Sequence, residues 1–375
     1  TPLHSSAASD VYKRQVNASL QDYLSKIKTE IDNYQDKWDQ YKKITNKYEF
    51  INTPFFWENP KINLCVCSYK PISRSYFKMI EILNQYDFDF PAALKSFHLA
   101  EGPGGFIEAI HKFRNCSNDK YIGMTLIEED KDIPKWNKIQ QFMKNRPNIF
   151  LEYGPKQNGN LYFKHNLLYV KKTYANTCDF ITADGGFDYS VDFNKQEENS
   201  INLIFCEILY ALIIQKQGGS FVLKIFDMFH ETTIEMLYLL CYFYKQVYVY
   251  KPNTSREANS EKYIICKGFT IKPHYEPIMT SLINQFRDLS RYQMRGIFTF
   301  KLNSYFLSKI QEINAIYGQQ QVENILNTIN YIKDSNKLNK ERLEKIKQNN
   351  IERCIKWCRD NKQPIHMNVL QNFSI

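Results

Sequence analysis

His98-Leu-Ala-Glu-Gly-Pro-Gly-Gly-Phe106 is the stretch whose reading decides the fold. Upstream of it, Lys95–Ala100 is a short apolar run of strand length; downstream, Phe106–Phe113 has helical spacing. Between them stand an acid, a proline and three glycines. Strand, glycine turn and helix in that order let a ligand approach bare backbone and a helix N-terminus in a doubly wound α/β sheet. The same residues also suit a plain tight turn, so the reading rests on the rest of the chain.

Further candidate strands recur at Tyr121–Leu126, Phe150–Tyr153, Leu167–Val170, Asp179–Ala183, Ser220–Ile225, Gln246–Tyr250 and Lys262–Cys266. Helices are expected at Ser200–Lys216 and Thr232–Tyr244. Strands alternating with helices predict an α/β fold, a mostly parallel sheet covered on both faces. On the N-terminal side, Ser73–Leu83 reads as a capped helix with Lys78 beside its apolar stripe. Asn17–Lys47 places Leu20, Leu24, Ile27, Ile31 and Trp38 at helical spacing, which predicts an amphipathic helix. Thr1–Gln15 lacks periodicity and reads as an unstructured or non-native leader. After Pro273 the strand signals stop, and Ile310, Ile313 and Ile316, then Val322, Ile325 and Ile329, predict helices. The expected organisation is a leader over 1–15, a helical segment over 16–47, the α/β domain over 48–277 and an α-helical extension over 278–375.

Hydrophobic residues make up 43% of the 375-residue chain, enough for a packed core. A net charge of +9, from 49 cationic and 40 acidic side chains, favours an anionic partner such as nucleic acid, although a merely basic protein has the same balance. The nine cysteines, Cys65, Cys67, Cys354 and Cys358 among them, follow no disulfide or zinc spacing and read as free thiols in a reducing compartment. No metal site is expected. The apolar run Ile201–Ile214 is interrupted by Glu207 and is shorter than the ~20 residues that span a bilayer. No secretory pattern is read, so an intracellular, soluble protein with no membrane partner is expected.

Charged residues fall at predicted strand ends, where open α/β sheets place their ligands. Asp184 follows strand Phe180–Ala183 and opens Asp184-Gly-Gly186. Lys224 lies near the end of an otherwise apolar strand, and Glu261 precedes Lys262–Cys266. Each has a bland reading: a turn acid, a snorkelling lysine, a surface carboxylate. Their shared position at one predicted edge argues against coincidence.

The chain resembles the FtsJ-like (RrmJ-type) Rossmann-fold methyltransferases, closest to the cap-specific mRNA ribose 2′-O-methyltransferases of eukaryotes and large DNA viruses. Six stretches carry the resemblance, in family order: Ser73-Arg-Ser-Tyr-Phe-Lys78, Leu99-Ala-Glu-Gly-Pro-Gly-Gly-Phe106, Gly123-Met-Thr-Leu126, Ala183-Asp-Gly-Gly-Phe187, Gly218-Gly-Ser-Phe-Val-Leu-Lys-Ile-Phe226 and Lys251-Pro-Asn-Thr-Ser-Arg-Glu-Ala-Asn-Ser-Glu-Lys-Tyr263. The resemblance implies a catalytic tetrad of Lys78, Asp184, Lys224 and Glu261. It implies S-adenosyl-L-methionine as cofactor, with S-adenosyl-L-homocysteine as product, held by Glu101, Gly102, Pro103, Gly104, Gly105, Phe106 and Asp184. Where the family carries an acid at the end of the second strand, Thr125-Leu126 stands instead, leaving Thr125 and Asn160 as the ribose and adenine candidates.

The implied reaction is methyl transfer to the ribose 2′-hydroxyl of the cap-proximal nucleotide by an in-line displacement, with Lys224 as general base. Lys78 would lower the proton affinity of Lys224, Glu261 would orient the pair and Asp184 would position it. Arg74, Ser255, Arg256, Asn259 and Ser260 are the implied RNA contacts, and capped mRNA, with the capping or transcription machinery, the implied partners. The implied location is the cytoplasm or nucleus, or a virion or viral factory for a viral source. Two alternatives stay open: a 2′-O-methyltransferase of rRNA or tRNA, and a non-catalytic RNA-binding factor on the same fold.

Overall fold

The computed structural model describes residues 16–56, 63–127, 136–186, 193–286, 289, 292, 294–334 and 337–373. The expected leader over 1–15, part of the basic interval after Leu126 and Phe187 lie outside the described residues. The chain packs as two compact units. One is built mainly from Phe88–Lys251 and Glu261–Ala315, the other from Leu20–Asp87, Pro252–Ser260 and Ile316–Ile375.

The first unit holds a seven-stranded mixed sheet. In chain order its strands are β1 (Lys95–Leu99), β2 (Lys120–Met124), β3 (Ile149–Leu151), β4 (Cys178–Ala183), β5 (Gln215–Ile225), β6 (Tyr244–Tyr250) and β7 (Lys262–Phe269). Its helices are α1 (Gly105–Arg114), α2 (Asn137–Met143), α3 (Lys164–Tyr174), α4 (Gln196–Ile214), α5 (Glu231–Phe243) and α6 (Tyr275–Gln285). Across the sheet the order is β3-β2-β1-β4-β5-β7-β6. Strands β1 to β5 pair in parallel, and β7 inserts antiparallel between β5 and β6. The order reverses between β1 and β4, the kind of switch point where such sheets bind ligands. This is the Rossmann-like α/β architecture expected from the sequence.

Burial explains why these segments take these roles. Phe97, Leu99, Phe180, Ile181, Ala183, Phe221 and Leu223 are buried, as strands covered on both faces must be. Helix α4 is apolar nearly all round and is buried along almost its whole length. One polar device crosses the sheet centre. His98 bridges Ser96 and Thr182, its Nε2 2.8 Å from Ser96 Oγ and its Nδ1 2.8 Å from Thr182 Oγ1. His98 and Thr182 are register partners, and burial pushes the ring down to about 3, so it pairs the strands as a neutral imidazole.

Two expectations are corrected. Leu167–Val170 is not a strand but the middle of α3, where Leu167 and Val170 are buried while Leu168 and Tyr169 are exposed. Four apolar residues cannot distinguish the two periods, and the i, i+3 burial decides for helix. Asn17–Lys47 is not one helix: Ala18–Glu30 and Gln35–Thr45 are joined by a 3₁₀ turn, Ile31–Tyr34.

The second unit contains the helix Ser75–Gln85 and the C-terminal helices Lys337–Asp360 and Met367–Phe373; Ser304–Lys333 enters it from Ile316 onward. Glu81 organises this unit. Its buried carboxylate accepts from the Asn253 backbone (2.7 Å) and Nδ2 (2.8 Å), from the Thr254 backbone and hydroxyl (both 3.1 Å), and from Trp357 Nε1 (3.1 Å). One acid thus ties Pro252–Ser260 to the Ser75–Gln85 and Lys337–Asp360 helices. Among the described residues no helix is long and apolar enough to cross a membrane.

Glu81→Ala would leave these buried donors unsatisfied and should cost about 2–4 kcal/mol of stability. Glu81→Gln, which keeps an acceptor oxygen, should cost less. Urea unfolding followed by tryptophan fluorescence checks both; an unchanged midpoint for Glu81→Ala would refute the anchoring role.

Candidate active site

The sheet register brings the predicted strand-end residues to one edge. Leu99 pairs with Met124 and with Ala183, and Ala183 pairs with Leu223. Glu101, Thr125, Asp184 and Lys224 therefore emerge side by side. Strand β7 runs the opposite way, with Lys224 opposite Tyr263 and Ile225 opposite Lys262, so its beginning lies at the same edge and delivers Glu261.

The chain leaves β1 through Ala100, held in the left-handed region at φ 48°, a strained conformation for a residue with a Cβ. Glu101 then folds back under the turn, its Oε1 accepting from the Phe106 backbone N–H in the first turn of α1. Its Oε2 is buried and has no hydrogen-bond partner. Burial pushes this carboxyl well above 4.5, and Asp184 adds to the effect. The Gly102 N–H lies 3.4 Å from Thr125 Oγ1. Gly104 has φ +108°, and a Cβ there would come 2.3 Å from Ile139 Cδ1 of α2. The segment leading to Asn160 packs on the Thr125 region: a Cβ on Gly159 would meet the Thr125 carbonyl at 1.9 Å, and the Ile127 N–H donates to the Asn158 carbonyl at 2.9 Å. The Asn160 side chain is engaged locally, its Oδ1 accepting from the Tyr162 N–H at 2.8 Å. These residues fit a zwitterionic sulfonium cofactor: an unpartnered buried carboxylate oxygen for its ammonium, and a helix N-terminus for its carboxylate.

Lys224 is enclosed by acids. Its Nζ donates to the Asp184 carbonyl at 2.7 Å and lies 3.3 Å from Asp184 Oδ1. Burial alone would lower the ammonium's pKa, but Asp184, Glu261 and Glu207 together outweigh burial and raise it above 10.5. A lysine base, as implied for Lys224, needs its pKa tuned downward; the carboxylates of the first unit pull the other way. Glu261 is buried, and its carbonyl accepts from Lys251 Nζ at 2.9 Å.

Lys78, Arg74, Ser255, Arg256, Asn259 and Ser260 belong to the second unit. Lys78 lies half-buried on the Ser75–Gln85 helix. Arg74 and Arg256 are clamped by one buried carboxylate. Arg74 Nη1 and Nη2 reach Glu49 at 2.9 and 3.0 Å, and Arg256 Nη2 and Nε reach it at 2.7 and 3.0 Å. Burial would raise the Glu49 carboxyl, but the two guanidiniums hold it far below the usual carboxylate range. Their side chains keep 27% and 32% exposure, and Arg74 Nη2 also reaches the Thr254 carbonyl at 3.3 Å. Ser255 and Ser260 are buried, whereas Asn259 is partly exposed, its Oδ1 3.3 Å from Ser255 Oγ.

Two residues escaped the sequence reading. Tyr263 donates its hydroxyl to Asp184 Oδ1 at 3.0 Å. Its signal was its place two residues after Glu261, on the same strand face. Glu207 accepts from the Gly185 N–H at 3.1 Å. Its signal was a lone acid in an apolar helix, read there only as an interruption of that run.

A family model for FtsJ-like methyltransferases matches residues 71–269. Cap-specific mRNA (nucleoside-2'-O-)-methyltransferase 2 of Danio rerio is 27% identical over 360 residues, covering 88% of this chain and 45% of that protein. The cap-specific mRNA (nucleoside-2'-O-)-methyltransferase of Autographa californica nuclear polyhedrosis virus is 34% identical over 199 residues, covering 53% of this chain and 73% of that protein. The inactive cap-specific mRNA (nucleoside-2'-O-)-methyltransferase 1B of Caenorhabditis briggsae is 27% identical over 279 residues, covering 70% of this chain and 32% of that protein. The chain thus spans about half the length of the Danio rerio relative and about a third of the Caenorhabditis briggsae one. The matched region holds the glycine turn, Asp184, Lys224 and Glu261, and the chain belongs to the FtsJ-like methyltransferase family.

Proposed function

We propose that this chain transfers a methyl group from S-adenosyl-L-methionine to the ribose 2′-hydroxyl of the cap-proximal nucleotide of mRNA. The observation that carries the reading is the placement of Lys224, bonded to Asp184, at the sheet edge that also bears the Glu101 turn and Glu261. The names of the relatives support the cap-specific substrate. The cofactor, when bound, supplies an electrophilic methyl group on a sulfonium. The protein's own contribution is alignment, which can lower such a barrier by ~7–11 kcal/mol, and help with the hydroxyl proton, typically ~10²–10⁴-fold in rate.

In this reading Glu101 and the α1 N-terminus hold the amino-acid end of the cofactor, and Thr125 and Asn160 face its nucleoside end. Lys224 takes the 2′-hydroxyl proton at Nζ. Because three acids favour the protonated form, the base role needs a compensating positive charge, which the resemblance assigns to Lys78. Asp184, fixed by Tyr263, orients Nζ. Arg74 and Arg256, preset by Glu49, contact the RNA backbone. Capping or transcription machinery and a nuclear or cytoplasmic site of action follow from that substrate. The test is transfer of labelled methyl to capped and uncapped RNA with nucleotide mapping: label on the ribose of the first or second nucleotide of capped RNA is expected. Transfer only to uncapped structured RNA would favour the rRNA or tRNA reading. No transfer to either would make the chain a non-catalytic binder.

Three predictions follow from the geometry. Glu101→Gln should weaken cofactor binding about tenfold or more with little change in thermal stability, and wild-type binding should release a proton. A cation at Oε2 pulls down a carboxyl that burial has raised, so affinity should rise with pH. Calorimetry in buffers of different ionisation enthalpy measures both. It is a cleaner probe than Gly104→Val, which would also drive a side chain into Ile139.

RNA affinity should fall with salt at a log–log slope of about −0.7 per phosphate contact, and Arg74→Ala and Arg256→Ala should each flatten it. Filter binding across a salt series reads this, and a salt-independent affinity would contradict it.

Lys224→Ala and Lys224→Arg should both abolish transfer while cofactor affinity holds, since a guanidinium stays protonated. The wild-type rate at saturating substrate should rise about tenfold per pH unit across pH 6–8, the sign required of a base whose proton is held tightly. Near-normal turnover by Lys224→Arg would instead make Lys224 a fixed cation.

A further inference from the structure

A buried acid that the reaction as described does not use lies directly behind the catalytic turn. Glu207 is on α4 and has 0% exposure. Its Oε1 accepts from the Gly185 N–H at 3.1 Å. A Cβ on Gly185 would fall 2.2 Å from the same oxygen, 2.8 Å from Leu203 Cδ2 and 3.1 Å from the Ala100 Cβ. The glycine after Asp184 is therefore required by the carboxyl that packs on it. The other oxygen, Oε2, is buried with no hydrogen-bond partner.

We propose that Glu207 is a positioning residue for the Asp184–Lys224 pair: it seats the Asp184–Gly185 turn from the helix side and sets how tightly Lys224 holds its proton. The inference rests on the methyl-transfer reading for its catalytic consequence, and on geometry alone for the seat. Asp184 is the residue bonded to the amide that Glu207 holds, so any change at Oε1 is passed one peptide unit to the group that binds Lys224 Nζ.

The charged groups that act on Glu207 come from two elements. Lys224 on β5 favours its ionised form, and Asp184 at the end of β4 disfavours it. From its own helix Cys206 and Tyr210 contribute a neutral thiol and phenol, both pushed upward by burial. The contact from the β1 side is the methyl of Ala100. Burial dominates the balance and pushes Glu207 up to about 8. Near neutral pH the carboxyl is mostly protonated, which suits a site already crowded with Asp184 and Glu261. As it ionises, a further negative charge acts on Lys224 and raises the proton affinity of the amine. Removing the ionisable group should therefore lower the Lys224 ionisation.

The experiment uses the full chain. In protein labelled with ¹⁵N-glycine, the Gly185 amide should titrate with a midpoint near 8, and the titration should vanish in Glu207→Gln, which keeps an acceptor for the N–H. In the methyl-transfer assay on capped RNA, Glu207→Gln should follow the wild-type rate profile below about pH 7 and exceed it above pH 8, where the wild-type carboxyl is ionised, by about threefold or more, with KM for RNA and cofactor unchanged. Glu207→Leu, which lacks the acceptor, should lower kcat at least about tenfold at every pH while remaining folded by thermal melt. A Gly185 amide that does not titrate between pH 6 and 9, or a Glu207→Gln profile that superimposes on wild type above pH 8, would overturn the proposal. Should the wild-type chain fail to methylate RNA, the functional reading falls, and the glycine titration still decides the role of Glu207 behind the turn.

Discussion

The in-register parallel pairing of β1, β4 and β5 is the constraint on which the site depends. With Leu99 opposite Ala183 and Ala183 opposite Leu223, the chain exits three strands at one level, and the next residues have no choice but to share an edge. A one-residue slip would turn Asp184 or Lys224 to the opposite face of the sheet. The buried apolar side chains of these strands hold the register, and the His98–Thr182 bond adds a directional lock at its centre.

That edge gathers charge in a way that pure burial would forbid. Asp184, Glu207 and Glu261 act on a single buried ammonium, Lys224, and Glu101 lies near Asp184. Several buried carboxyls cannot all ionise beside one cation in a medium of low dielectric. Burial pushes the Glu101 and Glu207 carboxyls upward, disfavouring their ionised forms, while Asp184 is tied to Lys224 and Tyr263. Raised proton affinities in buried carboxyls are characteristic of sites that move protons or bind cations. The same acids explain why the proton affinity of Lys224 rises where the pairing with Lys78 implied a fall.

The second unit solves a different problem, the fixing of an irregular segment without a strand or helix of its own. Pro252–Ser260 is held near its start by four bonds from Asn253 and Thr254 to Glu81 and at its middle by the Arg256–Glu49 pair. Buried carboxylates serve here as anchors because each can accept several donors at once, a capacity no apolar contact offers. Glu49 thereby presents two guanidiniums, Arg74 and Arg256, in preset orientations at little further entropic cost.

Much of this was legible from residue types and spacing. The glycine turn, the alternation of strands and helices, and the acid or lysine at each strand end sufficed for an α/β sheet with Glu101, Asp184, Lys224 and Glu261 at one edge. Those inferences concern local periodicity and chain direction, which short-range sequence encodes directly. Leu167–Val170 was misjudged because four residues do not span enough of either period to separate strand from helix. The roles of Glu207, Tyr263 and Glu49 were decided only by the fold. Each acts through a partner distant in the chain, or through burial that exists only once the core has closed. Proton affinity and hydrogen-bond satisfaction are properties of that closed environment, so the sequence can name the ionisable groups but only the tertiary structure determines which of them keep their protons.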